Sequence, residues 1–374
     1  MKILLRLLLK SQHQRKQFHE TQTEKGMTLI ELLIGTVMAF LIITPMLGFV
    51  VDMLNTDRRE QVKSNTEQDI QAAVDFIAQD LSQAIYIYDN NLATTNTATG
   101  IPAIRTFLPV PPDQNNTPIL VFWKRQQLKN SLPITAGDAP SSCAQTTIPS
   151  TPAPLTGTGA CNDTYVLSLV AYYQVKGDTG VWCQPSGDPN TCPTRIVRYQ
   201  IQDGLKNPAQ SANLDPAARY FTDAQLGNDR KDGLKRSNAF NIGTTAVPGF
   251  DINNPTERVT NPGVAWERND VLVNYLDHTN PGPPPTQCTT ALGNPTTQVG
   301  TQQQPIPEDQ LKIHNPNNTS FYACVDTSKN LARVTIRGNS LRRLQPNGAD
   351  YAESKSAFFP TATVQVQGLG ARGK

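Results

Sequence analysis

Residues 24–52 read EKGMTLIELLIGTVMAFLIITPMLGFVVD. Positions 32–51 run for twenty residues without a charge, about the length a helix needs to cross the hydrocarbon core of a bilayer. No other segment of the 374 residues is as long and apolar, so one membrane pass is expected. Ahead of the run, the first 26 residues hold six Lys/Arg (Lys2, Arg6, Lys10, Arg15, Lys16, Lys25) against Glu20 and Glu24. Removing that +4 from the chain's +2 leaves about −2 for the remainder, so nothing in the bulk of the chain reads as a nucleic-acid surface. Basic residues before the span and Asp52 after it predict a cytoplasmic N-terminus and an exported body, because Lys and Arg are retained on the cytoplasmic side.

A secretory signal places its small-residue cleavage site after the apolar core, and a plain anchor has none. In this chain the order is inverted: a lone Gly26 precedes the run, and an acid, Glu31, lies just inside it. The motif resembles the prepilin cleavage site of type IV pilins and type II secretion pseudopilins. That resemblance implies removal of leader 1–26 by a prepilin peptidase cutting between Gly26 and Met27, with N-methylation of Met27, which stands where many members carry Phe. Glu31 becomes the fifth residue of the mature chain. An ionised carboxylate among apolar helix residues costs roughly 2.5–3.5 kcal/mol on insertion scales. In the family this cost is offset by the N-terminal amine of a neighbouring subunit, which makes Glu31 the expected assembly residue. The competing reading leaves Glu31 solvated and idle at the membrane interface.

Past Asp52 the apolar positions Val62, Ile70, Val74, Ile77, Leu81, Ile85 and Tyr88 recur at three to four residues or multiples of that spacing. The helix is therefore expected to continue amphipathically to about Tyr88, with 27–54 as its transmembrane and assembly half and 55–89 as its amphipathic half. At about 1.5 Å per residue it would extend roughly 93 Å, far more than a bilayer needs. Pro45 and Gly48 predict a kink or a melted turn.

From residue 90 to 374 the texture changes to short apolar runs between Pro-, Gly-, Asn- and Thr-rich stretches. Strands are expected at 119–124, 164–175, 195–201, 270–276, 319–325, 331–337 and 362–367. The intervening 92–118, 131–160, 204–263 and 278–316 read as surface loops. The fold class expected is α+β, pilin-like: a long N-terminal transmembrane and amphipathic helix packed on the antiparallel sheet of an exported head.

All six cysteines, Cys143, Cys161, Cys183, Cys192, Cys288 and Cys324, lie in the exported part, where disulfides persist. Fifteen pairings are open; joining sequence neighbours is the simplest. With only His278 and His314 outside the leader and no CxxC, a metal site is not expected. Asp223, Asp229 and Asp232 lack EF-hand spacing, and Ca2+ in another loop form is the one ion they admit. No GxSxG elbow or P-loop is present, and the glycines Gly368, Gly370 and Gly373 are by themselves a weak signal, so an enzyme is not expected. Arg333, Arg337, Arg342 and Arg343 form a basic cluster that suits a polyanion, or else a charged edge strand that discourages aggregation.

The length, the loop-rich head and the stretch VTIRGNSLRR at 334–343 are similar to the pseudopilins of filamentous cyanobacteria linked to hormogonium polysaccharide secretion. The resemblance implies a filament subunit supporting polysaccharide export and gliding motility. Its partners would be other pilin or pseudopilin subunits, the prepilin peptidase, an inner-membrane assembly platform and a polysaccharide. The alternative is a bitopic surface protein that binds extracellular polysaccharide without entering a filament; a tethered exported enzyme is a third.

Overall fold

The computed structural model describes residues 27–91, 100–104, 108, 115–135, 137–143, 160–177, 180–184, 192–210, 219–227, 268–280, 282–345 and 347–369. The leader and Gly26, and with them the cleavage site, lie outside the described residues, as do Asp229 and Asp232. The chain divides into two compact units, Met1–Arg58 and Arg59–Lys374.

Helix α1 runs from Leu29 to Ser82, 54 residues, or roughly 81 Å at about 1.5 Å per residue. It passes through Pro45 as regular helix, so the melted turn expected there is absent. Pro45 has no N–H to offer the Leu41 carbonyl one turn back; beside it, Thr44 donates its hydroxyl to the Phe40 carbonyl at 2.8 Å. In the second unit α1 buries Thr66, Ile70, Ala73, Val74, Ile77, Asp80 and Leu81, a single face by its three-to-four spacing.

The helix stops at Ser82 rather than near Tyr88, and Ala84–Ile87 form strand β1 instead. Alternating Ile and Tyr residues favour the pleated surface over the helix. β1 pairs antiparallel with the long strand β2 (Asn116–Pro133), and the Tyr88 N–H donates to the Val121 carbonyl. Ile85 and Tyr88, which matched the helical period, are thus carried by extended chain.

Among the described residues the head has two sheets and a ribbon, not one sheet. β1, β2, β3 (Cys161–Lys176), β4 (Thr194–Gln202) and β5 (Arg268–Leu276) form a five-stranded antiparallel meander in chain order. β8 (Lys312–Asn315), β9 (Asn318–Asp326), β10 (Leu331–Arg337) and β11 (Thr361–Gln367) form a four-stranded antiparallel sheet in the order β11-β10-β9-β8. The exposed ribbon β6 (Thr296–Val299) and β7 (Gln302–Pro305) stands alone. All seven runs expected as strands are strands: 331–337 matches β10 residue for residue, and the other six reach further at one or both ends. Residues 278–316, expected as loop, contain the ribbon, β8 and two single helical turns. Four-residue elements carry too little periodicity to be read from sequence.

One apolar cluster joins Ile70, Val74, Ile77 and Leu81 of α1 to Trp123 of β2, Tyr172 of β3, Ile196 of β4 and Val334 of β10. The class is therefore α+β, with antiparallel sheets. Gly338 permits the close approach of α1: a Cβ there would lie 2.1 Å from Ile70 Cδ1 and 2.9 Å from Thr66 Cγ2.

Three disulfides staple the head, Cys143 to Cys161, Cys183 to Cys192 and Cys288 to Cys324, each between sequence neighbours. Beside the last, Glu308 accepts the N–H groups of Cys288 and Thr289 at 2.8 Å each and pairs with Lys312 at 2.7 Å. Burial alone would raise this carboxyl, but the Lys312 ammonium and the two N–H donors hold it down at about 2. Its stabilisation is therefore complete above the ordinary glutamate range, near 4.5, and disappears as pH falls toward 2. In acid titrations of unfolding followed by circular dichroism, Glu308→Gln should be less stable than wild type at neutral pH. It should lose less on acidification, so that the two curves converge near pH 2.

Candidate functional site

The first part of α1 is the feature that asks for a partner. Leu29 is 87% exposed, Phe40 70%, Phe49 71% and Leu54 63%, and none of the most apolar window is buried. Among the described residues this is the one helix long and apolar enough to cross a membrane, which fits a single-pass protein. Water is a poor solvent for such a surface, since exposed apolar area costs about 25 cal/mol per Å².

Glu31 is the one carboxylate in the first turn of α1. Its backbone N–H donates to Thr28 Oγ1 at 3.4 Å, and the Thr28 hydroxyl donates to Glu31 Oε2 at 3.5 Å. Thr28-Leu29-Ile30-Glu31 has the spacing of a helix capping box, in which the acid lies three residues after the capping threonine. A carboxylate there also favours the positive end of the helix dipole. Glu31 thus has a local use in starting the helix, a signal legible in the sequence as Thr-x-x-Glu before an apolar run. Met27, the residue expected to lead the mature chain, is 75% exposed beside it.

The basic cluster is dispersed by the fold. β10 lies between β9 and β11, so it is an interior strand and not the charged edge strand that was the other reading. Arg337 is buried and its Nε donates to Asp277 Oδ2 at 2.9 Å. Arg342 is 1% exposed, with Nη2 2.5 Å from His278 Nε2. Arg343 pairs with Asp69 of α1 and lies 4.8 Å over the Tyr275 ring. Arg333 is half-buried opposite Cys324 and Gln365. The four guanidiniums do not share one open face: Arg337 and Arg342 fasten the interior, and Arg343 pairs with Asp69 at the surface.

Asp223 opens a single helical turn capped by Thr222 and Gln225. Among the described residues no group of three His, Cys, Asp or Glu side chains is placed to hold a metal.

An ionic centre that sequence reading missed lies under α1. Asp80 accepts from Lys124 Nζ at 2.8 Å, Arg198 Nε at 2.7 Å and the Tyr172 hydroxyl at 2.7 Å, all buried. The chain of bonds continues from Arg198 Nη2 to Gln200 Oε1 at 2.6 Å, and from Gln200 Nε2 to Gln126 and Ser168. One helix side chain is thereby tied to three neighbouring strands. Burial by itself would raise the Asp80 carboxyl, yet Lys124 and Arg198 outweigh it and hold the group below its ordinary range. The signal available in the sequence was charge set against apolar strand residues, Lys124 directly after ILVFW and Arg198 in the middle of RIVRYQI.

Comparison of the chain with known protein families, with curated proteins and with solved structures finds no match to any of them.

Proposed function

We propose that this chain is a structural subunit of a type IV pilus-like or type II secretion-like filament, cut after Gly26 and assembled through the first half of α1. The observation that carries the reading is the unburied apolar surface from Met27 to Val51 with a single carboxylate, Glu31, near its start. A lone membrane span needs no acid; a helix that must find one axial register against its neighbours gains one from a charge pair in a low-dielectric setting. In this reading the N-terminus faces the cytoplasm, the head lies outside it, and the filament serves polysaccharide export and gliding motility.

A second reading is favoured by one observation, the Thr28–Glu31 cap. If Glu31 serves only to start the helix, the chain is a bitopic surface protein whose head binds polysaccharide without assembly.

The processing step is tested by replacing Gly26 with Val and following chain size in membranes. Wild type should run shorter than the variant by the 26-residue leader, and the mature N-terminus should be Met27 by sequencing. A wild type that keeps its leader overturns the prepilin reading.

A further inference from the structure

A cleft of ≈ 370 Å³ opens in the head where β3, the start of β4, the β8–β9 turn and the segment after β5 converge. Its size falls in the ~300–1,000 Å³ range of small-molecule sites. The wall is dominated by side-chain amides, among them Gln174, Asn280 and Asn317, joined by Thr194, Lys176 and His278; none of the lining residues is a carboxylate or a hydrophobic aromatic.

Two of these side chains are incompletely satisfied. Gln174 is 1% exposed; its Nε2 donates to Ser320 Oγ at 2.9 Å, which fixes the amide and leaves Oε1 with no hydrogen-bond partner. His278 Nε2 lies 2.5 Å from Arg342 Nη2 and 3.2 Å from Asp350 Oδ1, and its Nδ1 has no partner either. Burial, with Arg342 beside it, lowers the affinity of this imidazole for a proton. Behind the cleft surface thus lie an unmatched amide oxygen and an unmatched imidazole nitrogen, and a buried polar group without a partner costs about 1–3 kcal/mol.

The geometry points to a saccharide-binding site, taking a mono- or disaccharide unit of an extracellular polysaccharide, with a uronate carboxylate favoured beside Lys176. Amides both donate and accept, as sugar hydroxyls do, so an amide wall complements a polyhydroxyl ligand at most orientations. A simple anion fits less well, because each amide carbonyl would oppose it. Lys176 supplies the single point charge that distinguishes an acidic sugar from a neutral one. The site deepens the polysaccharide role proposed above and rests on that reading for why an exported subunit would need it.

The test uses the full chain in detergent micelles and three probes: a galacturonate tetrasaccharide, a neutral galactose tetrasaccharide and inorganic polyphosphate. Calorimetric titration should give saturable binding of both sugars, the uronate at least about fivefold tighter, and none of polyphosphate. Lys176→Ala should remove the uronate preference, about a tenfold loss as expected for one charge-assisted hydrogen bond, and leave the neutral sugar within about twofold. Asn280→Trp, which fills the cleft from an exposed position, should weaken both sugars at least about tenfold with an unchanged thermal midpoint. If that midpoint moves, Asn317→Trp repeats the blockade from another wall. Polyphosphate binding as tight as the uronate, sugars that fail to saturate, or blocking variants that bind normally would each overturn the site. Binding is read whether or not the chain assembles, so a failed filament with intact sugar binding would sink only the filament reading.

Discussion

Asp80→Ala is expected to destabilise the head by about 3–5 kcal/mol, the range found when one partner of a buried ion pair is removed. The change deprives Lys124 and Arg198 of the carboxylate that neutralises them while both remain inside, and it removes the acceptor of the Tyr172 hydroxyl. Denaturant unfolding monitored by circular dichroism measures the loss as a lower midpoint at unchanged slope. Asp80→Asn keeps one acceptor and the shape, so it should lie between Ala and wild type. Replacing Asp80, Lys124 and Arg198 together with Leu, Met and Met should recover most of the loss, because apolar groups of similar volume often substitute for a buried charge cluster without net cost. The direction with pH follows from the lowered Asp80 carboxyl: its contribution is present above the ordinary aspartate range, near 3.8, and is lost as pH falls below it. A loss under about 1 kcal/mol in Asp80→Ala would show that the network does not bind helix to sheets.

The second large effect is expected at Glu31, where two substitutions separate charge from capping. Glu31→Gln preserves a side-chain acceptor at the capping position but abolishes the negative charge; Glu31→Ala removes both. If the carboxylate pairs with the amine of a neighbouring subunit, Gln leaves that amine without its counter-charge in a low-dielectric setting. Truncating one side of such a pair costs about 2–5 kcal/mol, enough to lower assembly more than tenfold. Filaments sheared from cells and quantified by immunoblot should therefore be nearly absent in both variants, while leader removal and membrane insertion proceed normally. Normal assembly of Glu31→Gln alongside failure of Glu31→Ala would assign Glu31 to the cap and favour the bitopic reading.

The part of the chain that was most legible is the part whose behaviour is local. The apolar run at 32–51 and the acid ahead of it are properties of consecutive residues, and a helix long enough to cross a bilayer follows from them without reference to the rest. Strands such as 319–325 and 331–337 were readable for a similar reason, since their runs are apolar or β-branched and bounded by turn residues. The end of the helix was not readable. Ile85 and Tyr88 fit the helical period while Ile85-Tyr86-Ile87-Tyr88 is at the same time a β-prone run, and the choice is made by β2, which supplies the partner for β1 through Trp123 and Phe122.

The same division holds for the charged residues. Arg333 to Arg343 looked like a surface because they cluster in sequence, but the fold places Asp277, His278 and Asp69 against three of them, from positions at least 60 residues away. Asp80 looked like one more polar residue on an amphipathic helix, and Lys124 and Arg198 like stray charges in strands, until folding brought them within 2.8 Å.

By itself, then, the sequence determined the membrane-length helix, the cysteine-bearing body beyond it and the mixed α+β class, because each depends on composition or on neighbours within a few residues. Tertiary structure decided where α1 yields to β1, which charges are buried together, and that Gln174 and His278, 104 positions apart, share one cleft. Burial and pairing are properties of residues distant along the chain, and only the packed sheets specify which of them meet.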